Sequence, residues 1–451
     1  MTSPATTPEN DEARYLAGDG PTRRWFTPAV FVLVPVLVSF GAWGLLTAMY
    51  AANPEHPDWE KLAGFAVPAR VDPAGVLLLV AWYACLITVA TVGWRIGSRR
   101  PVNARQLAQA STARFERRYF TVILAVAFVG VAYCYYKIGA DAVVEAFATQ
   151  TGNLFTNSLS GSTGVQTLRY ATILAAPLGL YLWRKKVIGW PPMVGALVLL
   201  ILNSLIAHRL SLFMASVVYL VIVGKGLNWT LHTDARHRIH WSRVVLLLFL
   251  GLTLLTGLNY VRNANYYRDA GVTNPVAMNV FQMGAYLAVP AQVSLGVSDG
   301  IMSGAWVQTG DPVSSITAIR PTFLEIDKVS KDDSWKGPEV YGNTVNFAPN
   351  FFTNSVFADT YAAFGLWGWL YTFPLYGLAG FFMARLVRFG FAIGASAGIM
   401  AYCFVEVWRI QIVSYGFVVF LLLLTVGSAF IAVRWPVRRK VAGVSRSRRA
   451  S

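Results

Sequence analysis

The stretch that decides the fold is residues 74–94, AGVLLLVAWYACLITVATVGW, which carries no charged side chain. About 20 consecutive apolar residues are enough for a helix to cross the hydrocarbon core of a bilayer. The stretch ends at Trp94 and is followed at once by Arg95, an order of residues typical of a membrane–water interface. It therefore predicts a transmembrane helix.

Similar apolar runs recur along the whole chain. Of its 451 residues, 55% are hydrophobic and only 13% are charged, and the mean hydropathy is +0.48. A soluble protein of this size carries more polar surface than that. The sequence therefore predicts an all-α integral membrane protein with about ten transmembrane helices. The predicted spans are residues 26–50, 74–94, 119–138, 168–183, 189–207, 210–227, 243–260, 357–384, 391–407 and 410–434.

Basic residues are concentrated in a few segments between these spans. Residues 95–118 contain seven arginines and the tail 435–451 contains six basic residues, whereas residues 139–167 contain none. Because Lys and Arg remain on the cytoplasmic side of short loops, we expect a multi-pass protein of the cytoplasmic (inner) membrane with both termini in the cytoplasm. The net charge of +16 is then spread over several loops, which argues against nucleic-acid binding.

The predicted organisation has five parts. They are a disordered cytoplasmic tail (1–25), transmembrane helices one to seven (26–260), an extracytoplasmic loop (261–356), transmembrane helices eight to ten (357–434) and a basic cytoplasmic tail (435–451). Within the loop, Asn274 and Pro275 predict the start of a helix that reaches Gly296 and is bent at Pro290. Counting this helix as a span would invert the charge bias of everything after it, so it is predicted to be interfacial or re-entrant.

The sequence contains no motif for a cofactor or a metal. The three cysteines all lie within predicted spans and have no disulfide or metal-ligand spacing. No glycine-rich phosphate loop and no Ser-His-Asp spacing occurs in the chain. We therefore expect chemistry that needs neither a cofactor nor a metal ion.

Arginines on the predicted outer side are the strongest functional signal. A cation at the rim of a membrane bundle often marks a binding site, and arginine suits phosphate because its planar fork donates two parallel hydrogen bonds. The alternative is a snorkelling arginine whose guanidinium lies among the lipid headgroups. The candidate substrate-binding residues are Arg169, Arg209, Arg262, Arg268, Arg320 and Arg409.

Three residues are candidate catalytic proton acceptors, and each has a simpler interpretation. Glu406 lies three residues before Arg409, so a structural ion pair is favoured; the functional alternative is that Glu406 orients Arg409 or acts as a general base. Asp359 lies in the first turn of a predicted helix, where the helix dipole favours an acid. His208 serves equally well as a turn residue or as a base near neutral pH.

Two motifs and the long outer loop carry a resemblance to a known family. The motifs are His208-Arg209-Leu210-Ser211, which leads into an apolar helix, and the stretch from Asn350-Phe351-Phe352-Thr353 through Tyr361 to Phe364-Gly365-Leu366-Trp367-Gly368. Over residues 200–385 the chain resembles the bacterial O-antigen and oligosaccharide repeat-unit polymerases of the Wzy type, which are related to the O-antigen ligases. Members of that family are multi-helix membrane enzymes that transfer a glycan from a polyprenyl-pyrophosphate carrier without a sugar nucleotide or a metal.

The resemblance also implies roles for particular residues. Arg209 resembles the family's arginine at an outer helix start, and Phe364, Gly365 and Gly368 resemble its turn-and-pack segment. The chain departs from the family at Ala363, where many relatives have Asp directly before Phe-Gly. Arg262, Arg320 and Arg409 match the family in kind and in side of the membrane only.

The expected function is a glycosyltransferase that polymerises or transfers polyprenyl-pyrophosphate-linked oligosaccharides on the outer face of the membrane. Its partners would be the glycan donor, a glycan acceptor and the bilayer, with other polysaccharide-assembly proteins as further candidates. The alternatives are a transporter or flippase of the same lipid-linked oligosaccharide and a non-enzymatic scaffold. The enzyme is favoured because the chain has no evident repeat and its outer cations are predicted at one rim.

Overall fold

The computed structural model describes residues 27–101, 110, 112–142, 144, 159, 164–206, 210–226, 253, 256–257, 260, 264–306, 312–317, 319, 345–348 and 354–434. Within these ranges the chain is helical, apart from turns and one isolated antiparallel bridge between Phe65 and Phe347. The prediction of an all-α protein is therefore confirmed. The longer helices are α1 (Pro28–Ala52), α2 (Pro73–Arg99), α3 (Ala113–Ile138), α4 (Thr172–Arg184), α5 (Trp190–Ile206), α6 (Leu210–Gly226), α7 (Pro275–Met302), α8 (Val356–Phe364), α9 (Gly368–Val387), α10 (Ala397–Val405) and α11 (Gly416–Arg434).

Six helical segments in the described ranges are long and apolar enough to cross a membrane. They are α1, α2, α3, α7, the segment Val356–Val387 that contains α8 and α9, and α11. The protein is thus a multi-pass membrane protein. The described residues thus support six spans and not the ten that the sequence predicts.

The predicted spans that are missing from these six correspond to shorter or irregular helices, or lie outside the described residues. The predicted spans 189–207, 210–227 and 391–407 correspond to shorter apolar helices, and the predicted span 168–183 begins in a 3-10 helix, Gly164–Ala171, before α4. An apolar run reports burial or lipid contact but does not require that one continuous helix contains it. Most of the predicted span 243–260 lies outside the described residues.

Helices α2 and α9 approach each other closely through glycines. A Cβ added at Gly93 would lie 2.0 Å from the carbonyl oxygen of Gly377, and one added at Gly380 would lie 2.2 Å from that of Ala90. Small residues at such positions let two membrane helices pack backbone against backbone. This contact fixes α9, and with it the neighbouring α8, against α2.

Helix α7 begins at the residue that the sequence predicts, and buried hydrogen bonds further along join it to other segments of the chain. The Asn274 side chain caps it by accepting hydrogen bonds from the N–H groups of Val276 and Ala277. Further along, the fully buried amide of Gln292 accepts from the Trp43 indole and from the Ala69 N–H. Its Nε2 donates to the carbonyls of Val67 and Val345, so this one side chain joins four segments of the chain.

The two halves of α7 both contact the end of the bundle where α1 ends and α2 begins, here called the predicted outer end. In the first half, Met278 belongs to an apolar cluster with Leu46 and Trp59. In the second half, Ser298 lies against Gly75 in the first turn of α2. Between them, the Leu287 carbonyl accepts a hydrogen bond of 2.7 Å from the hydroxyl of Ser39, deeper along α1.

Candidate functional site

The candidate site is built on a break between two helices, residues 406–415. Helix α10 ends at Val405 and α11 begins at Gly416, and only the short 3-10 turn Ile412–Ser414 lies between them. Irregular backbone at membrane depth is tolerated where protein or a water-filled cavity satisfies its polar groups. Here the Glu406 carbonyl accepts the N–H groups of Arg409 and Ile410, at 2.8 and 2.9 Å.

The predicted ion pair between Glu406 and Arg409 is present. The Arg409 Nε donates to the Glu406 Oε2 at 2.6 Å, and the Tyr402 hydroxyl, one turn earlier on α10, donates to Oε1. Glu406 and Arg409 are only 5% and 7% exposed. Because each ion has a hydrogen-bonded partner of opposite charge, the pair can be buried without leaving an isolated charge.

The guanidinium of Arg409 is held in one orientation. Its carbon lies 4.8 Å from the ring centre of Tyr286 on α7 and 6.0 Å from that of Trp408, so aromatic faces flank it. Among the described residues, neither of its terminal nitrogens, Nη1 and Nη2, has a hydrogen-bond partner. Glu406 thus engages one edge of the guanidinium and leaves its two-pronged end for another acceptor.

The start of α8 packs next to this break. The Val356 N–H donates to the carbonyl of Val407 at 3.2 Å, and the Asn354 side chain, 1% exposed, donates to the Asp359 carboxylate at 3.3 Å. Within the described ranges, the Asn354 Oδ1 and the Gln411 Nε2 are buried and have no hydrogen-bond partner. Buried polar atoms are usually satisfied, so an unpaired acceptor and an unpaired donor here are consistent with a polar ligand or water.

Asp359 has the structural environment that its sequence position predicts. It lies in the first turn of α8, which the Ser355 side chain caps by accepting from the Ala358 N–H. An acid there is favoured by the helix dipole. Asp359 is half-buried, in contrast to the buried Glu406.

The segment 364–368 forms the turn between α8 and α9 and brings the two helices into close contact. Gly365 ends α8 with a φ of 57°, a conformation that glycine adopts without strain. A Cβ at Gly368 would lie 2.3 Å from the Thr360 side chain, so α8 and α9 meet there without room for a larger residue.

Arg169 is a second candidate arginine, and it is half-buried. Its terminal nitrogens lie 3.9 Å from the Cys134 sulfur and 3.4 Å from the Tyr170 hydroxyl. Its Nε is buried and has no partner within the described part of the chain. The Tyr170 ring stacks on Phe417 at the start of α11, 4.7 Å between ring centres, so Arg169 lies at the same end of α11 as the break at 406–415.

The remaining candidates are not brought to this site by the described structure. Arg268 is exposed, and its guanidinium donates to the Tyr260 hydroxyl at 2.7 Å and to the Asn265 side chain at 3.3 Å. His208, Arg209, Arg262 and Arg320 lie outside the described residues. Convergence of Arg209, Arg262 and Arg320 on this site therefore stays a prediction, and the structure gives Arg268 contacts with Tyr260 and Asn265 instead.

Sequence reasoning missed several residues of the site. Tyr402 precedes Glu406 by four positions, a spacing that places both on one helical face, so that pair was open to prediction. Tyr286, Asn354 and Gln411 carry no such signal. Tyr286 and Asn354 reach the site through packing between segments that are distant in sequence, whereas Gln411 belongs to the break itself.

Comparisons with known proteins find nothing similar: no family model, no curated protein and no solved structure matches this chain. Within the described ranges, no group of three His, Cys, Asp or Glu side chains is placed to hold a metal ion.

Proposed function

We propose that this protein is an integral-membrane glycosyltransferase that polymerises or transfers polyprenyl-pyrophosphate-linked oligosaccharides on the outer face of the cytoplasmic membrane. The observation that carries the proposal is Arg409, whose Nε is held by Glu406 while Nη1 and Nη2 have no partner among the described residues. A planar fork in this state suits two oxygens of a phosphate. The lipid tail of such a substrate would remain in the bilayer while its head group entered the bundle.

The proposed reaction is a direct displacement. A hydroxyl oxygen of the acceptor glycan attacks the anomeric carbon of the donor, the bond from that carbon to the pyrophosphate oxygen breaks, and the configuration inverts. Arg409 stabilises the negative charge that develops on the leaving pyrophosphate. Arg169, Arg209, Arg262, Arg268 and Arg320 are the further candidates for holding that group, with no metal ion required.

The proton of the acceptor hydroxyl needs a base, and the hydrogen bonds of Glu406 and Asp359 favour one of these two candidates over the other. Both carboxylate oxygens of Glu406 already accept hydrogen bonds, from Tyr402 and from Arg409, which favours a positioning role for this residue. Asp359 is half-buried and lies on the adjacent α8, so it fits the role of base better. His208 keeps its place as the alternative base.

The topology belongs to the same proposal. Both halves of α7 contact the predicted outer end, through Met278 and Ser298, while its middle bonds to Ser39 at greater depth. These contacts support a re-entrant α7, bent at Pro290, over one that crosses the bilayer. A re-entrant α7 keeps both termini cytoplasmic and places the break at 406–415 in the outer half of the membrane.

A flippase for the same lipid-linked oligosaccharide is the second candidate, because helices broken inside the membrane are also typical of transporters. Protein reconstituted in liposomes with a polyprenyl-pyrophosphate-linked oligosaccharide separates the two. We expect lengthened glycans and released polyprenyl pyrophosphate, lost in Arg409→Ala and retained in the control Arg434→Ala at the other end of α11. Movement of substrate between leaflets without a new glycosidic bond would assign the protein to the transporters instead.

A further inference from the structure

A second site is suggested at the opposite end of the bundle, where α2 ends and α3 begins, here called the predicted inner end. Helix α3 and the turn between α4 and α5 form a groove of about 260 Å³. Its walls are apolar and come from Phe120, Leu124, Ile188 and Pro192. The groove is smaller than the roughly 300–1,000 Å³ of typical small-molecule pockets, which suits part of a chain-like ligand better than a compact one.

One edge of this groove is cationic. Arg117 is exposed and is the only charged side chain in its lining. Lys186 is also exposed and lies in the α4–α5 turn, two residues before the groove residue Ile188. The ion pairs within the described ranges are Lys61–Asp58 and Arg409–Glu406, so no described carboxylate neutralises either of these two cations.

The position of the groove relative to the bilayer follows from its neighbours. Trp190, at the first position of α5 beside the groove residue Gly189, is 65% exposed, as expected for an aromatic side chain at the membrane interface. Thr121, in the groove lining, is also exposed, so the groove opens to the outside of the bundle and not to its core. The groove therefore lies at the level of the membrane interface and faces lipid, with a cation at its edge.

We propose that this groove is a binding site for one anionic phospholipid, with the phosphate against Arg117 and an acyl chain along Phe120 and Leu124. Basic pockets between transmembrane helices on the cytoplasmic side are suited to anionic head groups. A zwitterionic lipid fills the groove equally well but gains less from Arg117, because its head group carries no net negative charge. The site is independent of the proposed glycosyltransferase activity.

The test is lipid binding to the purified full-length protein, measured by native mass spectrometry with phosphatidylglycerol and phosphatidylcholine of identical acyl chains. We expect the wild type to prefer phosphatidylglycerol. Arg117→Gln is expected to weaken its binding about fivefold, which corresponds to the ~1 kcal/mol contributed by one cation near an anionic surface. The control Arg99→Gln removes an exposed arginine at the C-terminal end of α2, which is also at the predicted inner end but outside the groove lining. It is expected to leave binding unchanged.

A second pair of variants tests whether the lipid occupies the groove, without changing the charge of the protein. Thr121 and Thr88 are both exposed on lipid-facing helices, and each donates its hydroxyl to the carbonyl four residues earlier. Thr121→Trp fills the groove and is expected to reduce binding of phosphatidylglycerol, whereas Thr88→Trp is expected to have no effect. Equal losses in Arg117→Gln and Arg99→Gln, or full binding in Thr121→Trp, would overturn the site in favour of diffuse attraction to a basic surface.

Discussion

The arginines at the two ends of the bundle differ in what their guanidinium groups bind. Near the predicted inner end, Arg385 donates to the carbonyls of Arg100 and Pro101 at 2.8 and 3.1 Å, and Arg388 donates to those of Ser98 and Arg100. These two side chains satisfy carbonyls in the last turn of α2 and just after its end, where the helix supplies no partner. Arg409 binds a carboxylate through Nε alone. Arg385 and Arg388 thus complete the backbone, whereas the terminal nitrogens of Arg409 are the groups that the proposed function assigns to the pyrophosphate.

The largest expected effect comes from removing the carboxylate that holds Arg409. Glu406→Ala leaves a buried guanidinium without its counter-ion, which costs ~3–5 kcal/mol in comparable buried pairs. We expect a large fall in the melting temperature of the purified protein in detergent. Glu60→Ala, which removes an exposed acid, is expected to change stability by less than ~0.5 kcal/mol. Equal melting temperatures for the two variants would contradict a buried ion pair.

Removing both charges together sharpens the distinction between folding and function. A double variant, Glu406→Leu with Arg409→Met, takes away the pair without leaving either ion uncompensated, so we expect it to recover most of the stability lost in Glu406→Ala. Glycan transfer by the same variant is expected to remain absent. Recovery of stability and of transfer together would show that the pair is purely structural.

A further contrast is between the glycine contact of α2 with α9 and a glycine that touches nothing. Gly93→Ala places a methyl group 2.0 Å from the Gly377 carbonyl oxygen, which forces the two backbones apart and is expected to destabilise the protein by ~1–3 kcal/mol. Gly44→Ala, in α1, has no atom within 4 Å of the added methyl group and is expected to be neutral or slightly stabilising. Thermal unfolding of both variants checks the sign of each effect.

The smallest expected effect is at Tyr402. Tyr402→Phe removes one hydrogen bond to Glu406 but leaves the contact with Arg409, so a loss of ~1 kcal/mol in stability is expected. If Tyr402 also fixes the orientation of the carboxylate, transfer should fall several-fold while the apparent affinity for the acceptor stays unchanged. An unaltered rate constant in Tyr402→Phe would remove it from the positioning network.

The elements that could be predicted are those decided locally. The run 74–94 lies within α2, which extends it to Pro73 and Arg99, because the Asp72 side chain caps the first turn and no proline or glycine pair interrupts the helix. The pairing of Glu406 with Arg409 follows from their spacing of three residues. In both cases the decisive interaction lies within a few positions along the chain.

The elements that could not be predicted depend on contacts between distant segments. The sequence predicts a gap at residues 408–409, but the break extends over 406–415. The carbonyl of Val407 there accepts from Val356, and Arg409 is flanked by Tyr286 of α7. Hydropathy does not separate a helix that stops inside the bundle from one that crosses it. Gln292 joins four segments through its hydrogen bonds, but in the sequence it is only one polar residue in an apolar helix, so this role could not be predicted.

The most direct test of the account compares Arg409→Lys with Arg385→Lys in the liposome transfer assay. Lysine keeps the charge but loses the fork, so we expect Arg409→Lys to reduce the rate of glycan transfer ~100-fold, the scale for losing one preorganised donor. Arg385→Lys is expected to retain most of the wild-type rate, since its bonds are to backbone carbonyls. Wild-type transfer by Arg409→Lys would contradict the claim that the guanidinium of Arg409 binds the pyrophosphate.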